Sequence, residues 1–129
     1  MLLNESTKNA TELLSNIDSI YISEKFFERV NGQSCDCDEI VIKNGDKYIL
    51  LTSHPLGEDG YIEINEVPVF EQTRFPFEVD MNKECFKLDK ISVVDNGAID
   101  GIRLRADGVF LFIFALEHNL ILKKSKKML

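Results

Sequence analysis

The sequence predicts an α+β fold in which one or two N-terminal helices pack on a curled antiparallel sheet, a meander of about seven or eight strands. Two observations support this prediction. Apolar residues recur at a helical spacing in the first third of the chain, and after Gly32 their spacing changes from 3.6 residues to 2. Turn residues then separate short alternating segments, as is typical of antiparallel hairpins.

Chain length and composition fit a single domain over residues 1–129. Domains cluster near ~100–150 residues, and a chain of this size buries roughly two thirds of its unfolded surface. Its 44% hydrophobic and 29% charged residues are typical of a soluble globular protein rather than a disordered one. We expect residues 5–31 to be helical, residues 38–123 to be antiparallel β, and a Lys-rich tail over 123–129 to fray.

The first helix is predicted over residues 7–16. Cap candidates stand at residues 4–7, and Leu13, Leu14 and Ile17 recur at helical spacing behind them.

The next segment is ambiguous. Residues 19–23 could form a short strand, but we favour a second helix over residues 23–30, ended by Asn31 and Gly32. Its apolar face would comprise Ile22, Phe26, Phe27 and Val30.

Three segments in the middle of the chain have the pattern of strands. Residues 39–43 and 47–52 flank a turn at 44–46, and residues 61–66 alternate with Ile62 and Ile64 on one face. Residues 75–81 alternate so that Pro76, Glu78 and Asp80 are exposed, and the proline favours a sheet edge. A change in alternation near Asp89 and Lys90 predicts a β-bulge.

The last three strands have the clearest pattern. In the first, Ile102, Leu104 and Ala106 face inward while Arg103 and Arg105 face outward. Residues 109–116 are apolar on both faces, which predicts a central strand covered on both sides, with the stripe of Phe110, Phe112 and Phe114 in the core. Residues 120–122 close the sheet after a turn at His118 and Asn119.

The cysteines predict neither a disulfide framework nor a metal site. Zinc sites normally use two ligand pairs, whereas Cys35 and Cys37 have only the isolated Cys85, His54 and His118 as further candidates. We therefore expect reduced thiols, no metal and no cofactor. The glycine spacing likewise matches neither a dinucleotide fingerprint nor a P-loop.

The histidines leave one enzymatic alternative open. His54 and His118 are the side chains suited to proton transfer near neutral pH, and Ser53 precedes His54. No serine lies in a nucleophile elbow, so we assign no catalytic residue. The alternative is a small-molecule-binding or hydrolytic domain with a pocket near these histidines.

The charge distribution favours a protein partner. The net charge is −7, the N-terminus lacks a signal peptide, and the longest apolar run is too short to cross a membrane, so we expect a cytoplasmic protein that binds neither nucleic acid nor membrane. Acids are densest over residues 58–80, where Phe70, Phe75 and Phe77 are interleaved and Arg74 is the only base. The predicted partner-binding residues are Glu58, Asp59, Tyr61, Glu63, Glu66, Glu71, Glu78 and Asp80.

Small size, acidity, the lack of catalytic spacing and helices followed by an antiparallel meander together make the chain similar in style to a group of bacterial proteins. It resembles the small immunity proteins of contact-dependent inhibition and related polymorphic toxin systems. The resemblance implies a non-enzymatic cytosolic inhibitor of one cognate toxin domain, often a basic nuclease. A third interpretation is an accessory protein that self-associates through the edge strand at residues 75–81.

Overall fold

The structure is a computed structural model, and it describes residues 2–23, 26–29, 34–56, 59–79, 85–94, 97–107, 109–116 and 119–126. Within these ranges the chain forms one helix followed by eleven strands. Their bounds are α1 (Leu2–Leu13), β1 (Ser19–Ile22), β2 (Phe26–Arg29), β3 (Ser34–Cys37), β4 (Glu39–Asn44), β5 (Lys47–Leu56), β6 (Asp59–Val67), β7 (Phe77–Glu78), β8 (Lys87–Val93), β9 (Ile99–Ala106), β10 (Val109–Leu116) and β11 (Asn119–Lys126).

The described strands form two antiparallel sheets rather than the single curled sheet of seven or eight strands that we predicted. The first sheet has the order β6-β5-β4-β1-β7, and the second has the order β2-β3-β11-β10-β9-β8. Buried apolar side chains from both sheets and from α1 belong to one hydrophobic cluster, so the sheets face each other across it. The prediction of a helix followed by antiparallel strands is confirmed, but β structure makes up more of the chain than we expected.

Helix α1 begins and ends earlier than the predicted range of 7–16. Its last turn buries Ala10 and Leu13, and Leu14 is buried directly after it. The Asn44 side-chain amide donates to the Leu13 carbonyl at 2.7 Å, which satisfies one of the free carbonyls at the helix end. The C-terminal end of the helix therefore packs against the core that the two sheets share.

The predicted second helix over residues 23–30 is wrong, and with it the helical range of 5–31. Strand β1 pairs with β4 and with β7, while β2 pairs with β3. Four-residue segments are too short to separate a period of 3.6 from a period of 2, so pairing with distant strands decides their conformation. The predicted stop at Asn31 and Gly32 lies outside the described residues.

Several local strand predictions are confirmed. Strands β4 and β5 form the expected hairpin, with Gly45 at a φ of 60° in its turn. The register of β8 on β9 shifts between Leu88 and Lys90, where the bulge was predicted. Strand β7 lies at a sheet edge, as Pro76 indicated. It contains only two residues, and Phe77 is 42% exposed, although alternation with the exposed Pro76 and Glu78 predicts that it is buried.

The prediction that β10 is covered on both faces is wrong. Leu111, Ile113 and Ala115 are buried between the sheets, whereas Phe114 on the other face is 38% exposed. The physical reason is the position of α1: because its buried residues pack against the cluster that the two sheets share, it does not cover the outer face of the second sheet.

The prediction of a fraying tail over residues 123–129 is wrong for residues 123–126. Strand β11 continues to Lys126, and its Lys123 and Lys124 pair with Phe112 and Leu111 of β10. Backbone pairing with a long neighbouring strand outweighs the repulsion between lysines, whose side chains alternate between the two faces. Residues 127–129 lie outside the described ranges, as does His118 of the predicted turn.

The described part of the chain has no helix that is long and apolar enough to span a membrane.

Candidate protein-binding surface

Two pairs of side chains lie across from each other on β5 and β6, at the edge of the first sheet. Thr52 pairs with Glu63, and His54 pairs with Tyr61. The alternating Ile62 of β6 is buried in the core, so these pairs lie on the outer face. We call Thr52, His54, Tyr61, Glu63 and Asn65 the β5–β6 surface.

Polar contacts hold the Glu63 carboxylate in place on this surface. Asn65 Nδ2 donates to Glu63 Oε1 at 2.9 Å, and His54 Nε2 lies 3.6 Å from Glu63 Oε2. The His54 ring stacks on the Tyr61 ring with 5.3 Å between centroids. The Glu63 side chain is still 50% exposed, so a partner can reach a carboxylate whose position is already fixed.

The histidine on this surface is not arranged for hydrolysis. A catalytic histidine uses one ring nitrogen for the nucleophile and the other for an orienting carboxylate. Here Thr52 Oγ1, at 3.1 Å, and the Glu63 carboxylate both contact Nε2. Ser53 pairs with Ile62 and so faces the other side of the sheet, and His118 lies outside the described residues.

The structure does not gather the predicted acidic residues onto one surface. Tyr61 and Glu63 lie together, but Glu66 pairs with Ile49 and points to the opposite face of β6. Glu78 is on β7, at the other edge of the sheet. Of the remaining predicted residues, Glu71 follows β6, only the backbone of Asp59 is described, and Glu58 and Asp80 lie outside the described residues.

Residues 68–76, which we call the covering segment, lie over the outer face of the first sheet. Phe70 stacks on Tyr48 with 4.9 Å between ring centroids and lies 4.7 Å from the Tyr21 ring. Phe75 is 3% exposed, and Val41 of β4 is buried on the same side. Phe70 and Phe75 therefore attach the covering segment to the sheet. Their position among acids in the sequence indicated interface aromatics instead.

Arg74 ties this segment to two acids. Its guanidinium donates to Glu39 at 2.5 Å and lies 3.5 Å from the Glu71 carboxylate. The hydrogen bond and the charge of Glu39, with a smaller contribution from Glu71, raise the pKa of Arg74 above its already high ordinary value. Arg74 therefore stays charged through the neutral range and loses its proton only in strong alkali. Because it lies beside Arg74, Glu71 contributes less free negative charge than its exposure implies.

The cysteines have structural surroundings. Cys37 is buried and its thiol donates to the Leu120 carbonyl at 3.6 Å, while the thiol of Cys85 donates to Asn16 Oδ1 at 2.9 Å. Among the described side chains, no group of three or more His, Cys, Asp and Glu residues is placed to hold a metal ion. The absence of a metal in the purified protein stays a prediction.

Sequence reasoning missed the exposed face of the second sheet. It assigned Phe110, Phe112 and Phe114 to the core because β10 is apolar throughout. The neighbouring strand carried the contrary signal: Arg103 and Arg105 alternate with buried residues of β9 and pair with Phe112 and Phe110. Cross-strand partners share a face, so the two arginines already indicated that the phenylalanines face outward.

Comparisons with known proteins do not assign the chain to a family. It matches no protein-family description, no curated protein and no solved structure. The function proposed below therefore depends on the geometry of the described residues.

Proposed function

We propose that this chain is a non-enzymatic, protein-binding inhibitor: an immunity protein that neutralises a cognate basic, nuclease-type toxin domain in the bacterial cytoplasm. The observation that carries the proposal is the half-exposed Glu63 carboxylate, held beside Tyr61 by Asn65 and His54 on an edge strand. In this proposal the β5–β6 surface receives a lysine or arginine of the toxin.

The chemistry of the surface favours a cationic protein partner. An aromatic ring beside a fixed carboxylate offers both a contact surface and a charge-assisted hydrogen bond. Because its neighbours already hold Glu63, binding orders fewer side chains and loses less entropy. The net charge of −7 attracts a basic partner from a distance and speeds its association.

The edge position of β6 adds a second mode of contact. Strand β6 spans nine residues and pairs with β5 along its length. The backbone groups on the other side of an edge strand can pair with an extended segment of a partner. We propose that such pairing sets the orientation of the toxin while Glu63 supplies charge recognition.

The hydrolytic alternative gains no support from this geometry. Among the described side chains, Thr52 and Glu63 contact the same ring nitrogen of His54, so they form no relay from a carboxylate through the ring to a hydroxyl. A cavity of about 330 Å³ lies under the covering segment, and Val67, Phe70 and Arg74 line it rather than His54.

The test is capture of the partner by the full chain as bait, with two single charge reversals on one strand. Glu63→Lys changes the β5–β6 surface, and Glu66→Lys makes the same charge change on the opposite face of β6. We expect the wild type and Glu66→Lys to retain one basic protein encoded next to this gene, and Glu63→Lys to lose it.

Co-expression supplies the functional readout. The captured protein should be toxic when expressed alone and harmless when co-expressed with the wild-type chain. Retention of an acidic partner only, or equal capture by both variants, would contradict the proposal.

A further inference from the structure

The outer face of β10 carries a row of three aromatic side chains, Phe110, Phe112 and Phe114, which we call the phenylalanine strip. Across the sheet, Phe112 pairs with Arg103 and Lys123. Phe114 pairs in the same way with Gly101 and Ile121. Because cross-strand partners share a face, these residues form one continuous outer surface of the second sheet.

This surface is apolar and open to contact. Phe114 is 38% exposed, and Leu116, the next outward residue of β10, is 48% exposed. A groove of about 380 Å³ runs beside the strip and is lined by Lys90, Ser92, Asp100, Gly101, Arg103 and Phe114, among others. Exposed large apolar side chains that are contiguous mark interaction sites more often than scattered ones do.

Gly101 shapes the groove. It occupies an outward position between Ser92 on β8 and Phe114 on β10, and a Cβ at this position would lie 3.4 Å from Phe114 Cβ. The missing side chain leaves a depression in which an apolar group of a partner can contact the Phe114 side chain.

The charge that borders the strip is positive, although the chain as a whole is acidic. Lys87, Lys90, Arg105 and Lys123 are exposed at outward positions around it. The nearby Asp89 is only 15% exposed and is paired with Arg103 at 2.6 Å and with Arg105 at 3.7 Å. A partner therefore meets an apolar surface with cations beside Phe110 and Phe112, while Asp36 and Asp100 lie towards Phe114.

We propose that this face binds an acidic segment of a partner protein, with apolar side chains in the groove and carboxylates beside Lys90, Arg105 and Lys123. Charge complementarity selects this occupant. A symmetric contact with a second copy would place one cationic border against another. A nucleic acid would bring a continuous row of phosphates towards Asp100 in the groove, whereas a peptide can place its carboxylates beside the cations only.

The surface is separate from the one proposed to bind a toxin. The β5–β6 surface lies on the outer face of the first sheet and presents a carboxylate, whereas the phenylalanine strip lies on the outer face of the second sheet among cations. The inference therefore stands independently of the proposed function, and Glu63→Lys should leave it unaffected.

The test uses three fluorescein-labelled probes and the full-length protein. The first is a short peptide in which Glu and Leu alternate, the second has Lys in place of Glu, and the third is a short oligouridine. We expect the Glu–Leu peptide alone to raise the fluorescence anisotropy and to shift backbone amide resonances of β8, β9 and β10. No binding of this peptide, equal binding of the Lys–Leu peptide, or stronger binding of oligouridine would overturn the proposal.

Matched variants locate the binding. Lys90→Glu and Phe114→Ser should each weaken binding of the Glu–Leu peptide by about tenfold or more. The first reverses a charge of the proposed site, and the second removes an apolar contact. Lys47→Glu and Val69→Ser make the same kinds of change at exposed positions associated with the first sheet and should leave the affinity unchanged. Circular dichroism verifies that all four variants fold, and equal weakening by the control variants would also overturn the proposal.

Discussion

Asn44 connects two elements that are distant in sequence. It is the last residue of β4, and its side chain caps the C-terminal end of α1 through the Leu13 carbonyl. The backbone of the adjacent Gly45 makes a second hydrogen bond to this region, because its N–H donates to Asp18 Oδ2 at 2.8 Å. One hairpin turn therefore fixes both the end of the helix and the chain that leaves it.

Loss of the Asn44 amide should destabilise the protein measurably. Asn44→Ala leaves a partly buried helix carbonyl without this donor, and we expect the free energy of unfolding to fall by about 1–2 kcal/mol in urea titrations. Asn65→Ala is the control, because that amide bonds Glu63 at an exposed site and its loss should cost less than about 0.5 kcal/mol. Equal effects of the two changes would show that the cap contributes nothing specific.

Glu63 and Glu66 make a second comparison at the residue scale. With the basic partner in hand, Glu63→Lys should slow association about tenfold or more, because steering of a charged partner spans about 10–10³-fold. Glu66→Lys, which carries the same net-charge change, should slow association less. Stopped-flow kinetics at two salt concentrations provide the measurement, and raised salt should shrink the difference since screening acts over ~8–10 Å. Equal rates for both variants would mean that only net charge matters.

Strand β10 has one face in the core and one on the outside of the second sheet. Ile113 is fully buried between the sheets, whereas Phe112 lies half-buried on the outer face beside Arg103 and Lys123. The larger side chain therefore contributes less to the core than the smaller one. This reverses the order expected from residue size alone.

Alanine substitution at Ile113 should therefore lower the free energy of unfolding more than alanine substitution at Phe112. Ile113→Ala should lower the free energy of unfolding by about 2–5 kcal/mol, the range for truncating a buried aliphatic side chain. Phe112→Ala should cost less than about 2 kcal/mol, because much of its area is already in water. Denaturant unfolding of both variants provides the test, and a larger loss for Phe112→Ala would place that face in the core after all.

The covering segment behaves as an element although it contains no helix or strand. Phe70 and Phe75 pack on the first sheet, and Arg74 adds the ion pair with Glu39. Exposed ion pairs contribute little, so the aromatic packing supplies most of the attachment. The acidic residues of this stretch are thereby positioned by aromatic burial rather than by strand pairing.

Phe75→Ala should loosen this segment more than the rest of the fold. Truncating a buried aromatic costs about 3–5 kcal/mol, and the Phe75 ring packs mainly between the segment and the sheet. Hydrogen exchange should therefore accelerate first at the amides of Arg74 and Phe75, which donate to the carbonyls of Glu71 and Gln72. Val69→Ala, at a 68% exposed position, is the matched control and should change neither stability nor exchange.

At the scale of the whole molecule, two sheets share one apolar cluster and present outer faces of different character. The outer face of the first sheet carries the covering segment and the anionic β5–β6 surface, and the second exposes the phenylalanine strip among cations. The net charge of the chain is −7, but the outer face of the second sheet carries exposed positive charges around the phenylalanine strip. Partners of opposite charge can use the two faces.

The folding stability of the whole molecule should not depend on a bound metal. The buried thiol of Cys37 is bonded to a backbone carbonyl, and the apolar cluster between the sheets provides the core. We expect the melting temperature to be unchanged by a chelator and elemental analysis to find no stoichiometric zinc. Zinc at one equivalent per chain, or unfolding by the chelator, would contradict this prediction.

Local pattern and turn chemistry were sufficient to predict the hairpin of β4 and β5, the alternation of β6 and β9, and the bulge near Asp89. In each case the information lies within a few neighbouring residues: a glycine at positive φ, or an inward–outward order along one strand. The same rule places Tyr61 and Glu63 on one face, because residues two apart on a strand share a face.

What the sequence by itself determined was which residues share a face; which faces are covered was decided only by the tertiary structure. Alternation cannot show that Phe70 and Phe75 of the covering segment pack on the first sheet, or that α1 packs against the shared core and leaves Phe114 exposed. It also cannot bring His54 beside Glu63 before the partner strand is known, although alternation along β6 is enough to place Glu66 on the face opposite Glu63. The physical reason is that burial depends on contacts between segments distant along the chain, whereas periodicity reports only the order within one segment.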